Sequence, residues 1–152
     1  MALGATLPAW TAIGTPEQAR VLEWQNLVPT GWEPPIIAPA YDEAAAQTVD
    51  TAALVQALDG KLVRLPGYMK PIVFRGRTVT EFLLVPFLPQ HVTQHAHLEP
   101  NQMVYVVLED GFDVENPFKP VWVTGTLNLE TRQTDEGPAG YSVAGATVSE
   151  YR

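Results

Sequence analysis

The chain has 152 residues, 46% of them hydrophobic and 17% charged, and nine Lys and Arg against seventeen Asp and Glu leave a formal charge of −8. That length suits one domain, and that balance excludes a mainly disordered chain, which needs low hydrophobicity and high charge. The largest basic cluster is Arg75 with Arg77, too small for a phosphate-binding surface, and no apolar run approaches the ~20 residues of a membrane span, so neither nucleic acid nor a spanning helix is expected.

Fourteen prolines and no cysteine stand out. Without Cys there is no disulfide, thiolate metal site or Cys nucleophile. The soft donors left are three His and three Met.

The opening MALGATLPAW carries neither a positive n-region nor a long apolar h-region, so it does not read as a signal peptide. A cytosolic protein and an exported one whose signal is absent from this chain both fit. Residues 15–28 predict a short helix: Thr15 can cap it, Pro16 takes the first helical position, and Val21, Trp24 and Val28 share a face. Pro29 stops it. Residues 29–40 hold four prolines and predict an extended arm. A second helix is expected from about 44 to 58, ended by Asp59-Gly60.

From Lys61 onward β-branched and aromatic residues dominate and turn signals recur. Five strands are expected, over 62–74, 78–87, 101–109, 120–130 and 140–151. Pro66-Gly67 predicts a bulge or sharp bend in the first, because proline cannot donate to a central ladder. In the fourth, Val121, Val123, Leu127 and Leu129 alternate with Trp122, Thr124, Asn128 and Glu130. The stretch 110–119, broken by Pro117, predicts a loop. The expected fold is mainly β: a small five-stranded antiparallel OB-like Greek-key barrel over 61–152, preceded by a short helical and Pro-rich arm over 1–60 that packs on it. A β-sandwich is the rival.

The link between the second and third strands, 88–100, carries all three histidines. His91, His95 and His97 are spaced so that His95 and His97 share a face of an extended segment, and His91 joins them if the loop turns back. Neutral imidazole is a common ligand for zinc and copper, and three such ligands leave a fourth position open. Glu99 is near enough in sequence to ligate or to hold an imidazole. The plain alternative is a surface loop whose histidines are incidental. Met103 would add a soft donor for copper(I), but its apolar strand points to the core. Glu81 interrupts the apolar run TVTEFLLV, either facing solvent or partnering the His loop. Asn101 and Gln102 are expected to hold the loop base through backbone bonds.

Hydrolase, phosphate-loop and H-E-x-x-H signatures are absent, and the only serines are Ser142 and Ser149. No catalytic residue and no organic cofactor is therefore assigned.

Several ordered motifs carry a resemblance. They are Trp24-Gln25-Asn26-Leu27-Val28-Pro29, then the run from Asp59 to Pro71 (DGKLVRLPGYMKP). They continue with Glu81-Phe82-Leu83-Leu84-Val85-Pro86, Pro100-Asn101-Gln102 and the run from Pro120 to Leu127 (PVWVTGTL). Together they resemble the bacterial domain-of-unknown-function family 3299 from about residue 20 to the end. The resemblance implies a periplasmic protein or lipoprotein, in some cases encoded beside transporter or metal-homeostasis genes. It implies no activity. The family has a Gly-Ala-Cys-Ile-His stretch and a proline run before Asn-Gln, and here LPQHVTQHAHLEP stands instead. His91 falls where the family Cys would be, and His95 near the family His. Such an exchange keeps metal ligation within reach and moves it toward nitrogen ligands.

The expectation is thus a soluble, exported accessory protein that binds zinc or copper through His91, His95, His97 and Glu99. Its partners would be the metal ion and a transporter or another envelope protein. The runner-up is a non-catalytic interaction module with an incidental His loop, and a metal-dependent enzyme is the third reading.

Overall fold

The structure, a computed structural model, describes residues 18–34, 49–88 and 98–151. Eight strands form in these segments: β1 (Arg20–Val21), β2 (Lys61–Arg75), β3 (Thr78–Val85), β4 (Val104–Asp113), β5 (Val121–Asn128), β6 (Arg132–Thr134), β7 (Gly137–Ala139) and β8 (Tyr141–Glu150). In the main sheet the order is β1-β2-β3-β4-β8-β5, and β5 pairs back onto β2, so five long strands close a barrel. β6 and β7 make a separate hairpin.

At Pro66-Gly67, where a bulge or bend was expected, the register is unbroken and β2 changes partner; its register shifts fall at Pro71–Val73 and Val73–Phe74. Lys61 to Gly67 pair with β5, and Tyr68 to Arg75 pair with β3. Gly67 is required there by proximity: a Cβ on it would lie 2.9 Å from both the Leu84 side chain and the Val85 carbonyl oxygen. One strand thereby serves two seams of the barrel.

The long strands of the barrel do not all alternate in direction, which corrects the antiparallel expectation. Four seams are antiparallel, and β4–β8 is parallel, with Val104 opposite Tyr141 and Val106 opposite Val143. The reason is topological. A closed ring with an odd number of strands cannot alternate all the way round, so five strands force one parallel seam. The sheet is mixed because it closes.

The barrel interior is apolar. Val63, Leu65, Phe82, Leu84, Val106 and Leu127 are all 2% exposed or less. A fully buried side chain of this kind contributes about 1.5–3 kcal/mol relative to its exposed state. β3 also buries its outer face. Leu83 and Val85 pack outside the barrel in a second cluster with Leu98, Met103, Tyr105 and Ala139. Two buried faces explain why FLLV reads as a continuous apolar run rather than an alternating one. In β5, Val121, Val123 and Leu127 are buried as the alternation predicts, and Leu129 packs against the same core. Thr124 departs from the pattern at 8% exposed, next to the register shift between Thr124 and Thr126.

The helical reading of the arm is not met in the described residues. Across 18–28 there is no α-helix: Arg20 and Val21 pair with Val63 and Arg64, and a 3-10 turn follows over Trp24–Leu27. The Leu22 N–H continues the pairing to the Arg64 carbonyl at 2.8 Å. The backbone that a helix would satisfy internally is used by the sheet edge instead. Across 49–58 the expected helix is replaced by 3-10 turns at Thr51–Ala53 and Gln56–Leu58. The parts of both helices at 15–17 and 44–48 lie outside the described residues. The arm still packs on the barrel, since Leu22, Leu27, Leu54 and Leu58 belong to its core cluster. Trp24 Nε1 donates to the Pro66 carbonyl at 2.7 Å, next to the point where β2 changes partner.

Candidate functional site

The His-bearing link leaves β3 after Val85 and returns at Leu98, and both residues are buried in the same outer cluster. The two stems of the link are therefore closed by apolar packing on the β3–β4 face. His91, His95 and His97 lie outside the described residues. Among the described residues no group of three His, Asp or Glu side chains is placed to hold a metal ion.

Glu99, the fourth expected ligand, opens a 3-10 turn at Pro100–Gln102. Its carboxylate accepts from the Gln102 backbone N–H, and Gln102 Oε1 accepts from the Glu99 N–H at 3.0 Å. Asn101 is 1% exposed, and its Nδ2 donates to the Ala53 carbonyl at 3.0 Å. The Gly140 N–H donates to the Pro100 carbonyl at 2.9 Å. The expected structural part of Asn101 and Gln102 is thus met: they anchor the link's second stem to the arm and to the barrel.

Beside this base lies a polar cluster. Glu81 on β3, Tyr105 on β4 and Arg132 on β6 come together there. The Tyr105 hydroxyl donates to Glu81 Oε1 at 3.0 Å. The Arg132 guanidinium lies 4.3 Å above the Tyr105 ring centre and 3.6 Å from the same Glu81 oxygen. Its other nitrogen is 3.7 Å from Glu130, whose carboxylate also accepts from the Ser142 hydroxyl at 3.4 Å. Lys70 pairs with Glu136 at the tip of the β6–β7 hairpin. These contacts lay the hairpin across the outer face of β3 and β4. Glu81 is therefore neither turned freely to solvent nor an isolated carboxylate.

The pairs are partly exposed, so each ion pair contributes about 0–1 kcal/mol, and the ring contact about as much. Burial pushes the Tyr105 phenol above its ordinary value. The hydrogen bond to Glu81 and its negative charge push the same way, and Arg132 opposes them. The cluster thus keeps Tyr105 a neutral donor between a carboxylate and a guanidinium. It can position a polar ligand, and it holds the hairpin.

Of these residues the sequence singled out Glu81. Tyr105 reads as one more aromatic in an apolar strand. Arg132 belongs to a hairpin whose signal, the turn-forming Thr134-Asp135-Glu136-Gly137, lies inside what looked like a plain link between two strands.

The motifs and the barrel have counterparts among known proteins. Residues 24–150 match the family model described as protein of unknown function DUF3299. The chain belongs to the DUF3299 family. A DUF3299 family protein from Pseudomonas aeruginosa PAO1, known from a crystal structure, is similar at 34% identity, with a TM-score of 0.69 over 88% of this chain and 97% of that one. No curated protein matches the chain significantly. The DUF3299 match spans all five barrel strands, the Glu81–Tyr105–Arg132 cluster and the link that carries the histidines.

Proposed function

We propose that this DUF3299 protein is an exported, non-catalytic accessory protein that holds zinc or copper through His91, His95 and His97 and passes it to an envelope partner. The observation that carries the reading is the closed base of the His link. Val85 and Leu98 are 1% and 6% exposed in one cluster, so the two ends of the link are held together. Joining the ends of a link lowers the chain entropy that ligation across it costs. Glu99 is best read as the cap of the second stem, leaving the three imidazoles as the ligand set.

The barrel is proposed to be of the OB type. The order β2-β3-β4-β8-β5 closing on β2 supports this. In such barrels ligands meet the face of the second and third strands and the loops that join the first to the second and the fourth to the fifth. Here those positions are β3, β4, the β2–β3 turn and the β6–β7 hairpin. By fold analogy, β3 and β4, against which the stems of the His link pack, form part of the ligand face.

Titration calorimetry on metal-free protein tests the reading. The expected result is one zinc or copper ion per chain with submicromolar affinity, lost when His91, His95 and His97 are all changed to Ala. Equal binding by that variant, or no binding by the wild type, would overturn it. The interaction-module reading is favoured by a different observation: exposed Ile72, Val73 and Phe74 at the far end of β2.

A further inference from the structure

Glu81 and Tyr105 stand on neighbouring barrel strands. In the β3–β4 ladder Glu81 lies opposite Val107 and Leu83 opposite Tyr105, so strand pairing fixes where both side chains start. The bond from the Tyr105 hydroxyl to Glu81 Oε1 then sets the ring and the carboxylate relative to each other. Leu83 and Met103, both buried, pack in the same outer cluster as Tyr105. An aromatic face beside a carboxylate, on a rigid support, is suited to a planar cation. The ring offers its negative face and the carboxylate a full charge.

The cation that sits there comes from a separate element. Arg132 belongs to β6, and among the described residues β6 pairs with β7 alone, over three residue pairs, in a sheet apart from the barrel. A two-stranded hairpin of that kind is marginally stable by itself. Its exit is fixed, since the Gly140 N–H is bonded to the Pro100 carbonyl, and its tip is tied by the Lys70–Glu136 ion pair. The Arg132 guanidinium lies 4.3 Å above the Tyr105 ring centre, yet its distances of 3.6 Å to Glu81 and 3.7 Å to Glu130 exceed hydrogen-bond length. The Arg132 and Lys70 side chains are both 37% exposed, and pairs so exposed are weak and screened by salt. The receiving half is thus held by strand pairing, and the occupying half by weak contacts.

The geometry points to a cation-binding site on the barrel, formed by the Tyr105 ring and the Glu81 carboxylate, which Arg132 fills in the free protein and a guanidinium from outside fills when the hairpin lifts. The ligand is an arginine side chain, either of free arginine or of a partner's segment. Arg132 is then an internal competitor. Its short tether gives it an effective concentration of about millimolar order, enough to exclude a weak cation and to yield to one that makes further contacts. The inference goes beyond the metal reading, because none of these residues belongs to the His link.

Titration with methylguanidinium in metal-free buffer at constant ionic strength tests this, followed by the ring signals of carbon-13-labelled tyrosine. Tyr105→Phe assigns the Tyr105 signal, and unchanged signals of the other tyrosines show that each variant is folded. In Arg132→Ala, methylguanidinium is expected to shift the Tyr105 signal saturably, with a dissociation constant about tenfold or more below that of the wild-type chain. Lys70→Ala, which unties the hairpin tip and keeps Arg132, falls between the two. Adding Glu81→Gln to Arg132→Ala weakens binding about tenfold or more. A blocked Gly-Arg-Gly peptide that binds more tightly than free arginine assigns the site to a partner's segment, and the reverse order assigns it to the small molecule. No saturable shift in Arg132→Ala, equal affinity with and without Arg132, or binding indifferent to Glu81→Gln would overturn the inference.

Discussion

The Tyr141 hydroxyl donates to the Leu27 carbonyl at 2.7 Å, joining the last barrel strand to the arm 114 residues earlier. The same oxygen accepts from the Val55 N–H at 2.7 Å. Tyr141 is fully buried, so one phenol satisfies two backbone groups from two different stretches of the arm. Tyr141→Phe would leave both without that partner while keeping the ring. The expected cost is about 1–3 kcal/mol. In urea unfolding it would show as a lower midpoint at unchanged slope. An unchanged midpoint would mean that these two bonds add nothing to the hold on the arm.

The same burial has a pH consequence. Desolvation raises the Tyr141 phenol, opposed by the Val55 N–H, and Tyr105 is raised as well. A phenol raised in the folded state contributes stability that is fully present below its unfolded-state value, near about 10, and is lost as pH rises through the folded value. Stability is therefore expected to fall from about pH 10 upward through these two groups. The fall should be shallower in Tyr141→Phe, as measured by urea midpoints at stepped alkaline pH.

In the outer cluster the two charged partners act on Tyr105 in opposite directions. Glu81→Gln removes the charge that raises it, so the phenol should ionise at lower pH. Arg132→Ala removes the charge that lowers it, so the phenol should ionise at higher pH. Ultraviolet titration of the single Tyr105→Phe difference reads both shifts. Either change should cost no more than about 1 kcal/mol in stability, because the ion pairs are partly exposed.

Gly140 tests the anchoring of the His link from the barrel side. A Cβ there would lie 2.5 Å from Leu54 Cδ2 and 2.9 Å from the Pro100 carbonyl oxygen. The leucine end can shift. The carbonyl cannot easily do so, because the Gly140 N–H is bonded to it. Gly140→Ala is expected to destabilise by about 1–3 kcal/mol, seen in thermal unfolding, and to loosen the turn that Glu99 caps.

The elements of this chain were readable where local chemistry decides them. Pro66-Gly67 marked the point where β2 passes from one partner to the other, because the missing Cβ of Gly67 acts at the residue itself. The alternation in β5 marked its inner face for the same reason. The arm was misread because Val21, Trp24 and Val28 keep helical spacing, yet the backbone around Val21 is taken by the edge of β2, a partner some forty residues away. The parallel seam between β4 and β8 is likewise decided by ring closure, which no window of sequence contains. At the site, Glu81 stood out as a charge in an apolar run. Its partners Tyr105 and Arg132 did not, since each is ordinary in its own segment and distinctive only beside the others.

The central claim is that His91, His95 and His97 bind one ion together. Nitrogen-15 NMR of the imidazoles during zinc titration reads it most directly, because each ring reports its own ligation. All three imidazoles are expected to shift together, complete at one equivalent of zinc, and then to cease titrating with protons near neutral pH. Imidazoles that go on titrating independently with zinc present, or that shift one at a time with excess metal, would contradict it.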